Sequence, residues 1–408
     1  MLHYSAAPVV GGVEGVILAH AETFLRNGYP ISVIAGRGER EALPPGTDFV
    51  LIPELDSRHP QVLQMTASLE QGEVPADFDA ATDQLAEKLA PILGGFENVV
   101  VHNVLTMYYN LPLSAALIRL VDEGVIHHCI AWCHDFTWAS PTSRSKVHPG
   151  HPWDVLRTYH PAITYVVVSR RRQQVLAGLL GCPLERVHVV YNGVDPGVLL
   201  GLSETGQALV SRLGLLASDL VLLMPVRVTE AKNVEGALRV VAELKARGLA
   251  PKLVLTGPPD PHDPDSMAYF HELQALRGRL GVEQEMHFVF EEGPEPGEPL
   301  TIGMDVVGDL FRVSDMLFMP SHREGFGMPV LEAALVGMPI VSTEIPAAVE
   351  LGEDSVILVD DGEDPAYVAG RIIGWLERSP VYRLRRQVRQ NYTWDAIFHR
   401  DIEPLLRG

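Results

Sequence analysis

Cysteine is scarce in this chain: Cys129, Cys133 and Cys182 are the three present among 408 residues. Three thiols cannot build a disulfide framework for a chain of this length, so a reducing compartment is expected. Positive charge is also in the minority, with 32 lysines and arginines against 52 aspartates and glutamates, a formal net charge of −20. That balance disfavours non-specific binding to nucleic acid or to an anionic membrane surface, while leaving room for a local basic pocket. No apolar run approaches the roughly 20 residues that span a bilayer. The first residues do not show a charged segment followed by an apolar one of the secretory kind. No solenoid repeat and no low-complexity tract is visible. These absences lead us to expect a soluble, cytoplasmic protein with no nucleic-acid partner.

What is present is an ordinary globular composition, 47% apolar and 21% charged, in a chain long enough for two to three domains. Apolar strand-like runs alternate with helical patterns, which predicts α/β architecture with parallel sheets. Strands are expected at Ile31–Ala35, Val99–His102, His128–Trp132, Thr164–Ser169 and Val187–Tyr191, then at Leu220–Val226, Lys252–Thr256, Met286–Phe290, Met316–Met319 and Pro339–Ser342. The spacing of Val13, Val16, Ile17, Ala21, Phe24 and Leu25 predicts a helix over Val13–Asn27, with Gly28 as its stop. The turn signals in Asn192-Gly193-Val194-Asp195-Pro196 mark a boundary. We therefore expect one Rossmann-like domain over 1–196 and a second over 197–380, followed by an amphipathic helical tail from about Val381 to 408.

The densest concentration of chemistry is Ser321-His322-Arg323-Glu324-Gly325-Phe326-Gly327-Met328-Pro329-Val330-Leu331-Glu332. An apolar run ending at Pro320 precedes it, and a helical stretch over Val330–Val336, stopped by Gly337, follows. The pattern is strand, loop, helix, with one carboxylate on the loop and another a turn into the helix. Backbone amides of such a loop and the helix N-terminus suit a phosphate, and the carboxylates suit hydroxyls of a sugar or ribose. Upstream, Arg227 and Lys232 follow the strand expected at Leu220–Val226. Cations at the carboxyl end of a parallel strand are well placed for a ligand there, the Arg as a fork and the Lys as a point charge.

Glu324-Gly325-Phe326-Gly327 followed by Glu332, with Pro329 and Gly337, resembles the Glu-x7-Glu signature of retaining glycosyltransferases of family 4 (glycosyltransferase group 1). That resemblance implies the GT-B fold: two Rossmann-like domains facing across a deep cleft, with the terminal helix crossing back onto the first. It implies transfer of a hexose from a nucleoside diphosphate sugar to a hydroxyl acceptor with retention, and no required cofactor. Arg227 and Lys232 would hold the leaving diphosphate, although Pro225-Val226 and Asn233 stand where the family often has glycine. Glu324 would lie near the sugar hydroxyls, the amides of Gly325, Phe326, Gly327 and Met328 near sugar and phosphates, and Glu332 on the ribose. Gly11-Gly12, between the first strand and first helix, would face the donor phosphates and the acceptor, and Gly257 would line the nucleotide pocket. His134, at the end of a strand in His127-His128-Cys129-Ile130-Ala131-Trp132-Cys133-His134-Asp135, would be the catalytic position on the acceptor side. His102, Asn103 and Arg170 would line the acceptor pocket. The Arg227…Lys232-Asn233 and Thr256-Gly257-Pro258 segments look slightly more like members that use GDP-mannose, with UDP-glucose open. The acceptor is expected to be soluble.

A metal-dependent reading rests on Asp77-Phe78-Asp79 and Asp263-Pro264-Asp265, the second in a Pro-rich turn, and we expect no metal. Cys129 and Cys133, about 13 Å apart on a strand at ~3.3 Å per residue, are not expected to share a zinc. A sugar-nucleotide 2-epimerase and a non-catalytic sugar-nucleotide sensor of the same architecture are the alternative functions. A dinucleotide oxidoreductase lacks its glycine fingerprint here.

Overall fold

A computed structural model describes residues 1–293, 295 and 298–407. The chain divides into two compact units, Met1–Gly193 with the tail from Trp394, and Val194–Thr393.

Unit 1 is built on a seven-stranded parallel sheet: β1 (Leu2–His3), β2 (Ser32–Ala35), β3 (Asp48–Leu51), β4 (Asn98–His102), β5 (His128–Cys133), β6 (Ile163–Val167) and β7 (Val187–Val189). Their spatial order is β3-β2-β1-β4-β5-β6-β7. Helices cover both faces, and the strands alternate between two cores. Val99 and Val101 belong to one cluster with Ile34, and Val100 to the other with Val33 and Ala35. That period of two is what the pleat dictates.

Unit 2 carries six parallel strands: β8 (Leu220–Met224), β9 (Pro251–Leu255), β10 (Met286–Phe288), β11 (Met316–Met319), β12 (Ile340–Ser342) and β13 (Val356–Leu358). Their order is β10-β9-β8-β11-β12-β13. β8 and β11 are buried along their whole length, which is why they read as unbroken apolar runs. In both sheets the strand order reverses once, between β1 and β4 and between β8 and β11. Ligands of open parallel sheets bind outside the carboxyl ends of the strands at such a switch point.

Several expectations need correction. The strands expected at Thr164–Ser169, Val187–Tyr191 and Leu220–Val226 end two residues early, at Val167, Val189 and Met224. The strand expected at Met286–Phe290 ends at Phe288, and a 3-10 turn takes Val289–Glu291. The tail does not rejoin the first unit from about residue 381. The helix Pro380–Asn391 belongs to unit 2, where Arg389 Nη1 donates to Asp315 Oδ2 at 2.8 Å and Tyr382 donates to the Asp219 carbonyl at 2.5 Å. Only from Trp394 does the chain pack with unit 1, through Ile397, Phe398, Ile402 and Leu406. Among the described residues no helix is long and apolar enough to cross a membrane.

Candidate functional site

In unit 2 the switch point brings two loops together. The loop after β8 carries Arg227 and, on a short 3-10 turn over Glu230–Lys232, Lys232. The loop after β11 carries Glu324. Lys232 Nζ lies 2.5 Å from Glu324 Oε1, and Ser321 Oγ donates to the same oxygen at 3.1 Å. The amide of Arg323 donates to the Ala231 carbonyl at 3.3 Å, stitching one loop to the other. Behind Glu324, Thr343 at the end of β12 donates its hydroxyl to the Ser321 carbonyl at 2.6 Å.

Gly327 caps the helix Met328–Leu335 with φ of 102°, a left-handed value suited to glycine, and a Cβ there would come within 2.8 Å of Ile345 Cδ1. Pro329 sits in the first turn, where its missing N–H costs nothing. Lys232 is followed by Asn233, also left-handed at φ 50°, whose Oδ1 accepts from the Gly236 amide at 3.0 Å and caps the next helix, Val234–Ala246.

These loops border a cavity of about 720 Å³ lined by Arg227, Lys232, Arg323, Glu324 and the Gly325–Pro329 turn, with Asp260 at its edge. Arg227 is over half exposed and reaches Asp260 at 3.6 Å, so its guanidinium projects over the cavity with a weak partner. Phe326 and Met328 are also exposed. Gly257 does not line the cavity but supports it. A Cβ there would stand 2.4 Å from the Val226 carbonyl and 2.8 Å from Arg227 Cα, and the Val228 amide donates to Pro258 at 3.1 Å. Glu332, on the second turn of its helix, is half-buried and is not part of the lining of this cavity. Arg323 and Asp260 are site residues that sequence reasoning did not single out; Arg323 stood inside the quoted motif beside Glu324.

In unit 1 the residues expected on the acceptor side behave differently from one another. His134 follows β5 and is nearly buried. Burial holds its imidazole down at about 4, and His3 adds to the effect. His102 and Asn103, expected at the acceptor pocket, are both buried against His134. His102 is fully buried among His20, Trp132 and His134, its Nδ1 3.4 Å from His134 Nε2. Asn103, left-handed at φ 59°, spends its side-chain oxygen on the amides of His134 at 2.7 Å and Asp135 at 3.1 Å. Both therefore position His134. Arg170 is exposed at the start of the helix Arg170–Leu180, while its neighbour Arg172 pairs with Asp135 at 2.9 Å.

Gly11 and Gly12 open the first helix, Gly12–Arg26, as expected for a β–α turn. Here the close approach is taken by Glu14, whose Oε2 would lie 2.2 Å from a Cβ on Gly11. Ser5 Oγ donates to Glu14 Oε1 at 2.6 Å, and His3 Nε2 lies 3.9 Å from that oxygen. His3 Nδ1 is 2.8 Å from the His102 carbonyl, which can only accept, so His3 carries its proton on Nδ1. His3, Glu14 and His20 were missed because no local motif marks them and the residues they gather around, His102 and Trp132, lie far along the chain. His20 is enclosed by the indoles of Trp132 and Trp394 with centroids at 4.7 and 5.1 Å, and burial pushes it down to about 3. Cys129 and Cys133 are buried free thiols, both pushed up to about 12 by burial.

Residues 211–393, most of unit 2, match the model of the family described as Glycosyl transferases group 1. An uncharacterized glycosyltransferase of Methanocaldococcus jannaschii is 25% identical over 256 residues, 60% of this chain and 60% of the relative. A D-inositol 3-phosphate glycosyltransferase of Salinispora arenicola is 32% identical over 224 residues, 52% of this chain and 47% of the relative. One of the same description from Stackebrandtia nassauensis is 32% identical over 178 residues, 42% and 36%. The matched stretches thus span 36% to 60% of these relatives' lengths. Among solved structures, Anabaena Alr3699/HepE in complex with UDP aligns over 100% of this chain and 99% of its own at 18% identity, with a TM-score of 0.35. A glycosyltransferase from Rickettsia africae aligns over 99% and 98% at 15% identity, also with a TM-score of 0.35.

Proposed function

We propose that the chain is a GT-B glycosyltransferase that moves a hexose from a nucleoside diphosphate sugar to a hydroxyl acceptor, with retention and without a metal. The observation that carries this reading is the Lys232–Glu324 pair at 2.5 Å beside a cavity that also holds Arg227, in the segment that matches the group 1 family. A diphosphate in this cavity would meet the Lys232 ammonium and the Arg227 guanidinium. Glu324 accepts hydrogen bonds from sugar hydroxyls.

In this reading the bond between the anomeric carbon and the diphosphate oxygen breaks while the acceptor oxygen bonds to that carbon on the same face. The acceptor's proton passes to the departing diphosphate oxygen. Arg227 and Lys232 hold the negative charge that develops on the diphosphate, the kind of fixed electrostatic stabilisation that lowers such barriers most. His134, held by Asn103 and His102, is the unit 1 group offered to the acceptor side, and it stays neutral at neutral pH. GDP-mannose is the first donor to try and UDP-glucose the second.

The test is to incubate the protein with each labelled donor, with and without an acceptor extract, and to follow nucleotide release and the anomeric configuration of the product. Acceptor-dependent release with retained configuration, unaffected by a chelator, supports the reading. Interconversion of sugar nucleotides without acceptor would overturn it in favour of an epimerase.

A further inference from the structure

Unit 1 contains a groove of about 850 Å³ that plays no part in the site described above. It lies between the helices Pro60–Glu70 and Phe78–Leu93, beside the loop that follows β3. Its volume falls in the range of small-ligand pockets, about 300–1,000 Å³. The lining helix positions repeat at three and four residues, so each helix gives the groove one face: Gln61, Gln64 and Ser68 from the first, and Ala80, Gln84 and Glu87 from the second.

The chemistry of the walls is specific. Val62, Met65 and Leu85 are almost fully buried and form an apolar base. Gln61, Gln64 and Gln84 also line the groove, and each primary amide offers paired donors and an acceptor. The end near β3 is fixed by Asn110, whose Nδ2 donates to the Glu54 carbonyl at 3.0 Å. There Glu54 Oε1 meets Lys88 Nζ at 2.5 Å. Glu54 Oε2 and His59 Nδ1 have no hydrogen-bond partner within the protein, a state that a bound hydroxyl would relieve. The carboxylates of Glu54, Asp77 and Glu87 face one ammonium, that of Lys88. A phosphate would meet net repulsion here.

Amides over an apolar base, with surplus hydrogen-bond acceptors and no net positive charge, fit the hydroxyl edges and C–H faces of an uncharged sugar chain. We propose that this groove binds a neutral oligosaccharide, the part of the acceptor that lies beyond the reacting hydroxyl. The inference deepens the glycosyltransferase reading by giving the acceptor class: a neutral glycan several sugars long, and not a sugar phosphate. It rests on that reading only for the word acceptor, since binding is measured without transfer.

The experiment uses the full chain, ligand-observed saturation-transfer NMR and calorimetry, with maltotriose, α-mannotriose and chitotriose as neutral probes and myo-inositol 1-phosphate as the anionic one. The comparison variant is Ala80→Trp, which puts an indole into the groove from an exposed helix position. At least one trisaccharide is expected to bind the native protein and to bind Ala80→Trp at least tenfold more weakly, while GDP and UDP binding stays the same in both. Failure of every trisaccharide to bind, equal binding to Ala80→Trp, or a preference for the inositol phosphate that Ala80→Trp removes would overturn the proposal. Loss of the transferase reading shows separately, as trisaccharide binding without acceptor-dependent nucleotide release.

Discussion

Lys232 and Glu324 stand 92 positions apart in sequence and meet at 2.5 Å. They meet because β8 and β11 are neighbours at the point where the order of the second sheet reverses. Replacing Lys232 by Ala is expected to lower kcat/KM for transfer by about 10²–10³, the size seen when one donor to a developing negative charge is lost. Lys232→Arg should recover part of the loss, because charge returns in a different geometry. Steady-state kinetics with circular dichroism as a check on folding decides it; near-normal turnover in Lys232→Ala would remove the residue from the site.

Gly257 tests whether the Arg227 loop must hold its shape. A methyl group at this position would press on the Val226 carbonyl and Arg227 Cα at 2.4 and 2.8 Å, both backbone atoms that cannot turn aside. Gly257→Ala is expected to weaken nucleotide diphosphate binding about as much as Arg227→Ala does, although it removes no charge. Calorimetric titration of both variants makes the comparison, and a Gly257→Ala protein that binds like the native one would show that the loop tolerates the displacement.

Acid should destabilise unit 1 through its histidines. His20 and His134 have folded-state values of about 3 and about 4, lowered from 6.5 chiefly by burial. As the pH falls through 6.5, the unfolded chain takes up these protons and the folded one does not. The stability gained by keeping them neutral is therefore complete above that pH and drains away toward 4 and 3. At about 1.4 kcal/mol per pH unit per group, moving from pH 7 to pH 5 removes about 2 kcal/mol for each histidine. His20 touches its neighbours by ring contacts and makes no hydrogen bond. His20→Phe should thus keep the fold at pH 7 and flatten the pH dependence by about one proton in urea titrations. An unchanged slope would contradict the assignment.

In unit 2, Arg389 and Asp315 form a buried pair, 5% and 0% exposed, in which Asp315 Oδ2 also accepts the Val221 amide at 2.8 Å. Removing one member leaves the other charged and dry, so Arg389→Ala is expected to cost about 3–5 kcal/mol. Denaturant midpoints measure the loss, and a cost below about 1 kcal/mol would mean that water reaches Asp315.

How much of this was legible in the sequence follows from burial. Met316–Met319 was read with its true limits because every residue in it is buried. β3 and β13 were not foreseen. Each lies at one edge of its sheet and is partly exposed along its length, so neither an apolar run nor a clear alternation marks it. The Glu324 loop was legible because its residues are contiguous and the family motif is local. The arrangement of His3, His20, His102 and His134 was not, because only the parallel order β1-β4-β5 and the first helix bring them together. The burial of His102 and Asn103 was not legible for a related reason: the end of a strand at a switch point looks the same in sequence whether its side chains turn toward a ligand or inward. The tail was misplaced because its amphipathic pattern runs on past residue 381 and does not say which core it serves.

Val194 and Thr393 pair as neighbours, the Val194 amide donating to the Tyr392 carbonyl at 2.8 Å. The second unit is therefore a cassette inserted into the first, entering and leaving through one doorway. Two hundred residues can in principle be lifted out at this point and the gap between Gly193 and Trp394 closed by a short turn, leaving the seven-stranded unit with its tail attached. The same doorway makes the excised cassette a natural candidate for head-to-tail cyclisation, since its two ends are already side by side.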